Sequence, residues 1–148
     1  MRLPRRSRLR RALLAKSVAQ VYDAFNRGDM EVFLLFSHPE VEMHTAKDEA
    51  GVPFGADLED VYYGHQGLVA FSQTWMEAWD YRSEPEELID CGDKLVVFVR
   101  HRARGRGSGL EIDQPHAQVI TRGRDGRATR TEIFWDRDKA LEAAGLSE

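Results

Sequence analysis

The 148-residue sequence predicts an α+β fold: a curved antiparallel sheet forming a cone closed by N-terminal helices. Three features predict it. Amphipathic spacing of the helical kind dominates the N-terminal half, and two-residue alternation dominates Asp90 to Asp136. The two patterns are also segregated along the chain, with helices mostly first and strands mostly after, which places helices on one side of a sheet.

The elements follow in order. Ala12 to Arg27 predicts a helix with Leu14, Val18, Val21, Tyr22 and Phe25 on one face. Gly28 stops it and Asp29 can cap a second, short helix over Met30 to Phe36, which His38-Pro39 ends. Val41 to Thr45 reads as a first strand, with Glu42 and His44 on one face and Val41, Met43 and Thr45 on the other. Ala46 to Tyr62, rich in acids (Asp48, Glu49, Asp57, Glu59, Asp60), predicts a long surface loop of the kind that forms lids or rims. Gly64-His65-Gln66-Gly67 opens a third helix, which carries Leu68, Phe71, Trp75 and Trp79 and ends near Asp80. Arg82 to Asp90 is an edge-strand candidate because of Pro85. Leu95 to Arg104 is a strand, Gly105 to Gly109 a hairpin loop, and Leu110 to Thr121 resumes the strand pattern. Asp125-Gly126 is a tight turn, and Arg127 to Trp135 alternates again before a short capped helix over Ala140 to Ala144.

Composition limits the function classes. Apolar residues make up 42% and charged residues 31%, as in a globular domain, and no apolar run is long enough to span a bilayer. Residues 1–11 form a basic leader with six arginines, open to reading as an interaction arm, a disordered segment, a helix extension or translated upstream sequence. Residues 12–148 then hold 15 of the 21 bases against all 25 acids, a balance of −10, and read as one domain. An acidic body argues against nucleic acid as partner. Leu13-Leu14-Ala15 is too short for an export signal, and the single Cys91 permits no internal disulfide, so a cytoplasmic location is expected.

Several local sequences together resemble one family. Val21-Tyr22-Asp23-Ala24-Phe25-Asn26-Arg27-Gly28-Asp29, the short helix to Phe36, Val41-Glu42-Met43-His44, Tyr63-Gly64-His65-Gln66-Gly67 and Asp136 to Leu146 are similar, in order and spacing, to SnoaL-like proteins. These belong to the nuclear-transport-factor-2-like superfamily, which includes ketosteroid isomerase. The resemblance spans roughly residues 15 to 146 and implies a cone enclosing an apolar small-molecule ligand, dimerisation through the sheet, and no cofactor. The isomerase's general base falls on or beside His44, its oxyanion-hole tyrosine at Val21 or Tyr22, and its second acid near His116 or Ala117. The fold hosts isomerases, cyclases, dehydratases and non-catalytic binders, so it does not name a reaction.

Each candidate carries a functional and a structural reading. His44 is the candidate base, since imidazole titrates near working pH, or else a strand histidine facing solvent. Glu42 would orient it, or is an exposed carboxylate. His116, with Asp113 nearby, is the second acid/base or an electrophile, unless Pro115 bulges the strand and exposes it. Tyr22 is an oxyanion donor or a core tyrosine. Phe71, Trp75, Trp79, His101, Gln118 and Trp135 are expected ligand contacts, although aromatic residues at helical spacing also serve packing. Nothing has metal-ligand spacing, so no metal is expected. The ladder Arg100, Arg102, Arg104 and Arg106 reads as a solvated outer face or part of a dimer surface, with anion binding as the alternative. The expected function is cofactor-free proton transfer on an apolar or polycyclic molecule; the rival is a non-catalytic binding or interaction module.

Overall fold

The computed structural model describes residues 7–47 and 58–146. Helix α1 (Arg8–Arg27) starts inside the basic leader, where the Ser7 side chain accepts from the Arg10 backbone N–H, and ends at Gly28, whose φ of 70° gives the left-handed cap. Its inner stripe buries Leu14, Val18 and Tyr22, as the spacing predicts. α2 (Met30–Leu35) is capped by Asp29, and its Phe33 and Leu34 pack on the core at partial burial.

The strands follow as β1 (Ser37–His44), β2 (Val61–Tyr63), β3 (Trp79–Asp90), β4 (Lys94–Gly105), β5 (Glu111–Arg122) and β6 (Ala128–Phe134). Helix α3 (Gly64–Ala78) sits between β2 and β3, and α4 (Arg137–Ala143) closes the described chain. The sheet order is β2-β1-β6-β5-β4-β3. All pairings are antiparallel except β1 with β6, so the sheet is mixed. It is curved and does not close on itself, and α1 to α3 pack against its concave face.

Some boundaries differ from those predicted. β1 begins at Ser37, so His38-Pro39 lies within a strand; the β1–β6 register slips between Ser37 and Glu42, where a residue without an N–H is tolerated. β2 occupies a segment expected to be loop, recruited by pairing with β1. The rest of that acidic loop, including Asp48, Glu49 and Asp57, lies outside the described residues. Trp79 is the first residue of β3 instead of the last turn of α3. Gly67 is fixed by space: a Cβ there would sit 2.9 Å from the Tyr62 carbonyl carbon, so glycine lets α3 press against β2.

Strand alternation divides the core. On β4, Leu95, Val97, Val99, His101 and Ala103 face the helices, while Val96 and Phe98 join Ala117, Val119 and Phe134 beneath α4 on the convex face. The arginines of β4 take that convex face too, and Arg100 pairs with Asp113 at 2.8 Å and with Glu86 at 3.4 Å. No described helix is long and apolar enough to cross a membrane.

Candidate functional site

Between the concave face and α1 lies a partly open cavity of about 160 Å³. The lining is buried at Trp75, Ser83, His101 and His116 and part-exposed or exposed at Ser17, Val21, Ile120, Arg122 and Gly126.

Register explains how the polar groups meet. Ser83 and His101 are directly paired across β3 and β4, and the Ser83 hydroxyl lies 2.8 Å from His101 Nδ1. Ser83 is itself fixed, because its backbone N–H donates to Asn26 Oδ1 and its carbonyl accepts from Asn26 Nδ2, both at 2.8 Å. Val99 pairs with His116, so His101 is its diagonal neighbour, and the two imidazole centroids lie 6.1 Å apart, edge to face. Trp135 flanks His116 at 5.4 Å and Trp75 flanks His101 at 4.9 Å. Two residues along β5, Gln118 turns the same way, and its Oε1 accepts from the Tyr22 hydroxyl at 2.6 Å.

Burial sets the charge state. His101 is pushed down to about 4 by desolvation. His116 is pushed down to about 3, by desolvation first and then by His101 and Arg137. Both rings are therefore neutral at pH 7. Burial also raises the Tyr22 hydroxyl well above the usual phenol range, so it stays a donor. His116 is only 5% exposed and makes no hydrogen bond with any described residue. An imidazole taken out of water without a partner costs about 1–3 kcal/mol.

Of the expected site residues, Tyr22, Phe71, Trp75, His101, His116, Gln118 and Trp135 line the cavity together. His44 and Glu42 do not. Val41 and Met43 take the inward face of β1, at 1% and 5% exposure, so strand alternation turns His44 and Glu42 to the convex side, where they lie 3.4 Å apart. Asp113 is turned outward by the same rule, being three residues from His116, and is held by Arg100. Trp79 packs against Trp75 without lining the cavity. Ser83 and Arg122 were not foreseen. Arg122 continues the His116, Gln118, Ile120 series at steps of two, a pattern visible in the sequence once the β5 face is known, whereas Ser83 depends on cross-strand register. The described residues hold no cluster of three or more metal-ligating side chains.

The sequence profile of the SnoaL-like domain matches residues 18–131, most of the chain. The chain belongs to the SnoaL-like family. Solved structures agree with that fold. A nuclear-transport-factor-2-like protein of unknown function from Burkholderia pseudomallei is 24% identical with a TM-score of 0.71, over 86% of this SnoaL-like chain and 94% of its own. TerC, co-crystallised with polyporic acid, is 26% identical with a TM-score of 0.70, over 88% and 97%. A Mycobacterium tuberculosis protein in complex with estradiol-17β-hemisuccinate is 16% identical with a TM-score of 0.65, over 84% and 94%. No curated protein matches this SnoaL-like sequence.

Proposed function

We propose that this SnoaL-like chain takes an apolar or polycyclic small molecule into the cone and carries out cofactor-free proton transfer on it, of the isomerase, cyclase or dehydratase class. The observation that supports this reading is His116: a buried imidazole without a hydrogen bond to any described residue, bordering a cavity walled by aromatic rings. A ligand oxygen or an acidic O–H or C–H group placed there would supply the missing partner.

The chemistry follows from the charge state. A neutral imidazole can donate N–H to a carbonyl oxygen or accept a proton from carbon. Burial makes His116 a weak base. A developing enolate beside it would favour the imidazolium and raise its basicity at the moment of transfer. The Tyr22 hydroxyl is committed to Gln118 Oε1, which leaves the Gln118 amide N–H groups to meet the ligand's oxygen, polarised through Tyr22. His101, oriented by Ser83, is the second proton carrier. Low histidine basicity equally supports the non-catalytic alternative, in which the same groups only bind. The proposal includes a cytoplasmic homodimer that associates through the sheet.

Solvent deuterium incorporation into 2-tetralone, an enolisable bicyclic ketone, tests the reading by NMR. Exchange accelerated by the wild-type chain and lost in His116→Ala is expected. Binding without accelerated exchange would leave the binding module and remove the enzyme.

A further inference from the structure

We infer that the outward face of α1 docks this protein on a membrane surface rich in anionic lipid, with Leu9 and Leu13 entering the headgroup boundary and the surrounding bases meeting lipid phosphates and carboxylates. The inference stands apart from the cavity reading, and neither needs the other.

Helical spacing sets the face. With Leu14, Val18 and Tyr22 turned to the core, Leu9, Ala12, Leu13 and Lys16 fall on the opposite side of α1. Leu9 is 57% exposed and Leu13 51%, about one turn apart, so the two side chains form a single apolar patch. The other exposed large apolar residues, Leu35, Tyr63, Leu110 and Leu146, lie on separate segments, and singly they need no explanation.

Charge frames the patch. Arg8 and Arg11 flank it and Lys16 lies on it, all three exposed. Arg10 takes no part, because it turns inward to Asp90 at 2.7 Å. The β3–β4 turn abuts this end of the helix, where the Arg10 guanidinium also donates to the Gly92 carbonyl, and with Asp90 so engaged the turn's exposed acid is Asp93. In the sequence no acid precedes Asp23, while residues 1–22 carry six arginines and Lys16. Residues 23–148 hold the other 14 of the 21 bases against all 25 acids, a balance of −11. An anionic surface therefore attracts this end of the molecule and repels the rest, which fixes the orientation of approach.

Three occupants compete for a basic face with an apolar centre. Nucleic acid would pair with the bases but set two leucines against phosphate. A second copy related by a twofold axis would set Arg8, Arg11 and Lys16 against themselves. An anionic bilayer meets both chemistries, with bases at the headgroups and leucines in the boundary beneath.

Co-sedimentation of the full chain with phosphatidylcholine vesicles, with and without phosphatidylserine, tests the inference. Wild type is expected to bind the mixed vesicles and to stay in solution with phosphatidylcholine alone. Each of Arg8→Gln, Arg11→Gln and Lys16→Gln is expected to weaken binding about fivefold, the scale of one cation near an anionic surface. The Leu9→Gln, Leu13→Gln double variant is expected to weaken it by about tenfold or more. Leu110→Gln, similarly exposed between β4 and β5, is expected to bind as wild type. Unchanged circular dichroism keeps these losses from being read as unfolding. Absence of wild-type binding, or equal binding to both vesicles, would overturn the inference. Binding untouched by the double leucine variant would overturn it too, leaving charge without an apolar face. Duplex DNA binding in place of vesicle binding would give the face to nucleic acid, and a concentration-dependent oligomer abolished by the double variant would give it to a second copy.

Discussion

Lowering the pH from 7 to 5 is expected to destabilise this protein through its two cavity histidines. In the folded chain burial holds His116 near 3 and His101 near 4, so neither takes up a proton at pH 5. In the unfolded chain each returns to an ordinary value of about 6.5 and is mostly protonated there. The unfolded state therefore binds more protons, and stability falls as pH falls. The contribution is complete above about pH 6.5 and is lost progressively toward the folded values near 3 to 4. At pH 5 each histidine accounts for about 2 kcal/mol, and the pair for about 4, against a total stability of roughly 5–15 kcal/mol for a domain. Glu86 and Asp125, whose carboxyls are held below their usual range by Arg137 and by Arg127 respectively, act at lower pH, so the window from 7 to 5 isolates the imidazoles. Urea denaturation at the two pH values measures the loss. His116→Gln is expected to remove about half of the pH dependence. Identical midpoints at pH 7 and pH 5 would refute the neutral-pair account, and so would a dependence unchanged in a chain lacking both histidines.

Other outcomes follow from the same geometry. Tyr22→Phe leaves Gln118 Oε1 without its donor in a half-buried site and is expected to cost about 1 kcal/mol in chemical denaturation, together with weaker ligand binding. His44→Ala is expected to leave ligand binding and exchange activity at wild-type levels in the deuterium assay, because its side chain lies on the convex face. Gly67→Ala forces a methyl against the Tyr62 backbone and is expected to destabilise the fold by about 1–3 kcal/mol, read as a lower melting temperature.

Most of the architecture could be read from residue patterns, and the particulars show why. Leu14, Val18 and Tyr22 recur at helical spacing with a glycine stop, and the alternation of β4 around its arginines fixes both faces of the sheet. Pairing between distant segments was not legible. Three residues of β2 carry no signal until β1 lies beside them, and the parallel contact of β1 with β6 depends on where the cone closes. The site divides on the same ground. His116, Gln118 and Tyr22 border the cavity because each lies on the face its element buries. On β1 the sequence separates the two faces and leaves His44 open between cavity and solvent; the cavity takes Met43, with Val41 buried on the same face, because apolar burial outweighs a family position. Asp113 was attached to His116 by nearness in sequence, and an odd separation along a strand sends it to the opposite side.

The central claim is that His116 is kept neutral, without a hydrogen bond to any described residue, until a ligand supplies one. Long-range proton–nitrogen NMR of its imidazole, at pH 5 with and without bound 2-tetralone, measures this directly. A neutral ring in the free protein, with a nitrogen resonance that moves on binding, is the result expected. An imidazolium at pH 5, or a resonance unmoved by a ligand that demonstrably binds, would contradict it.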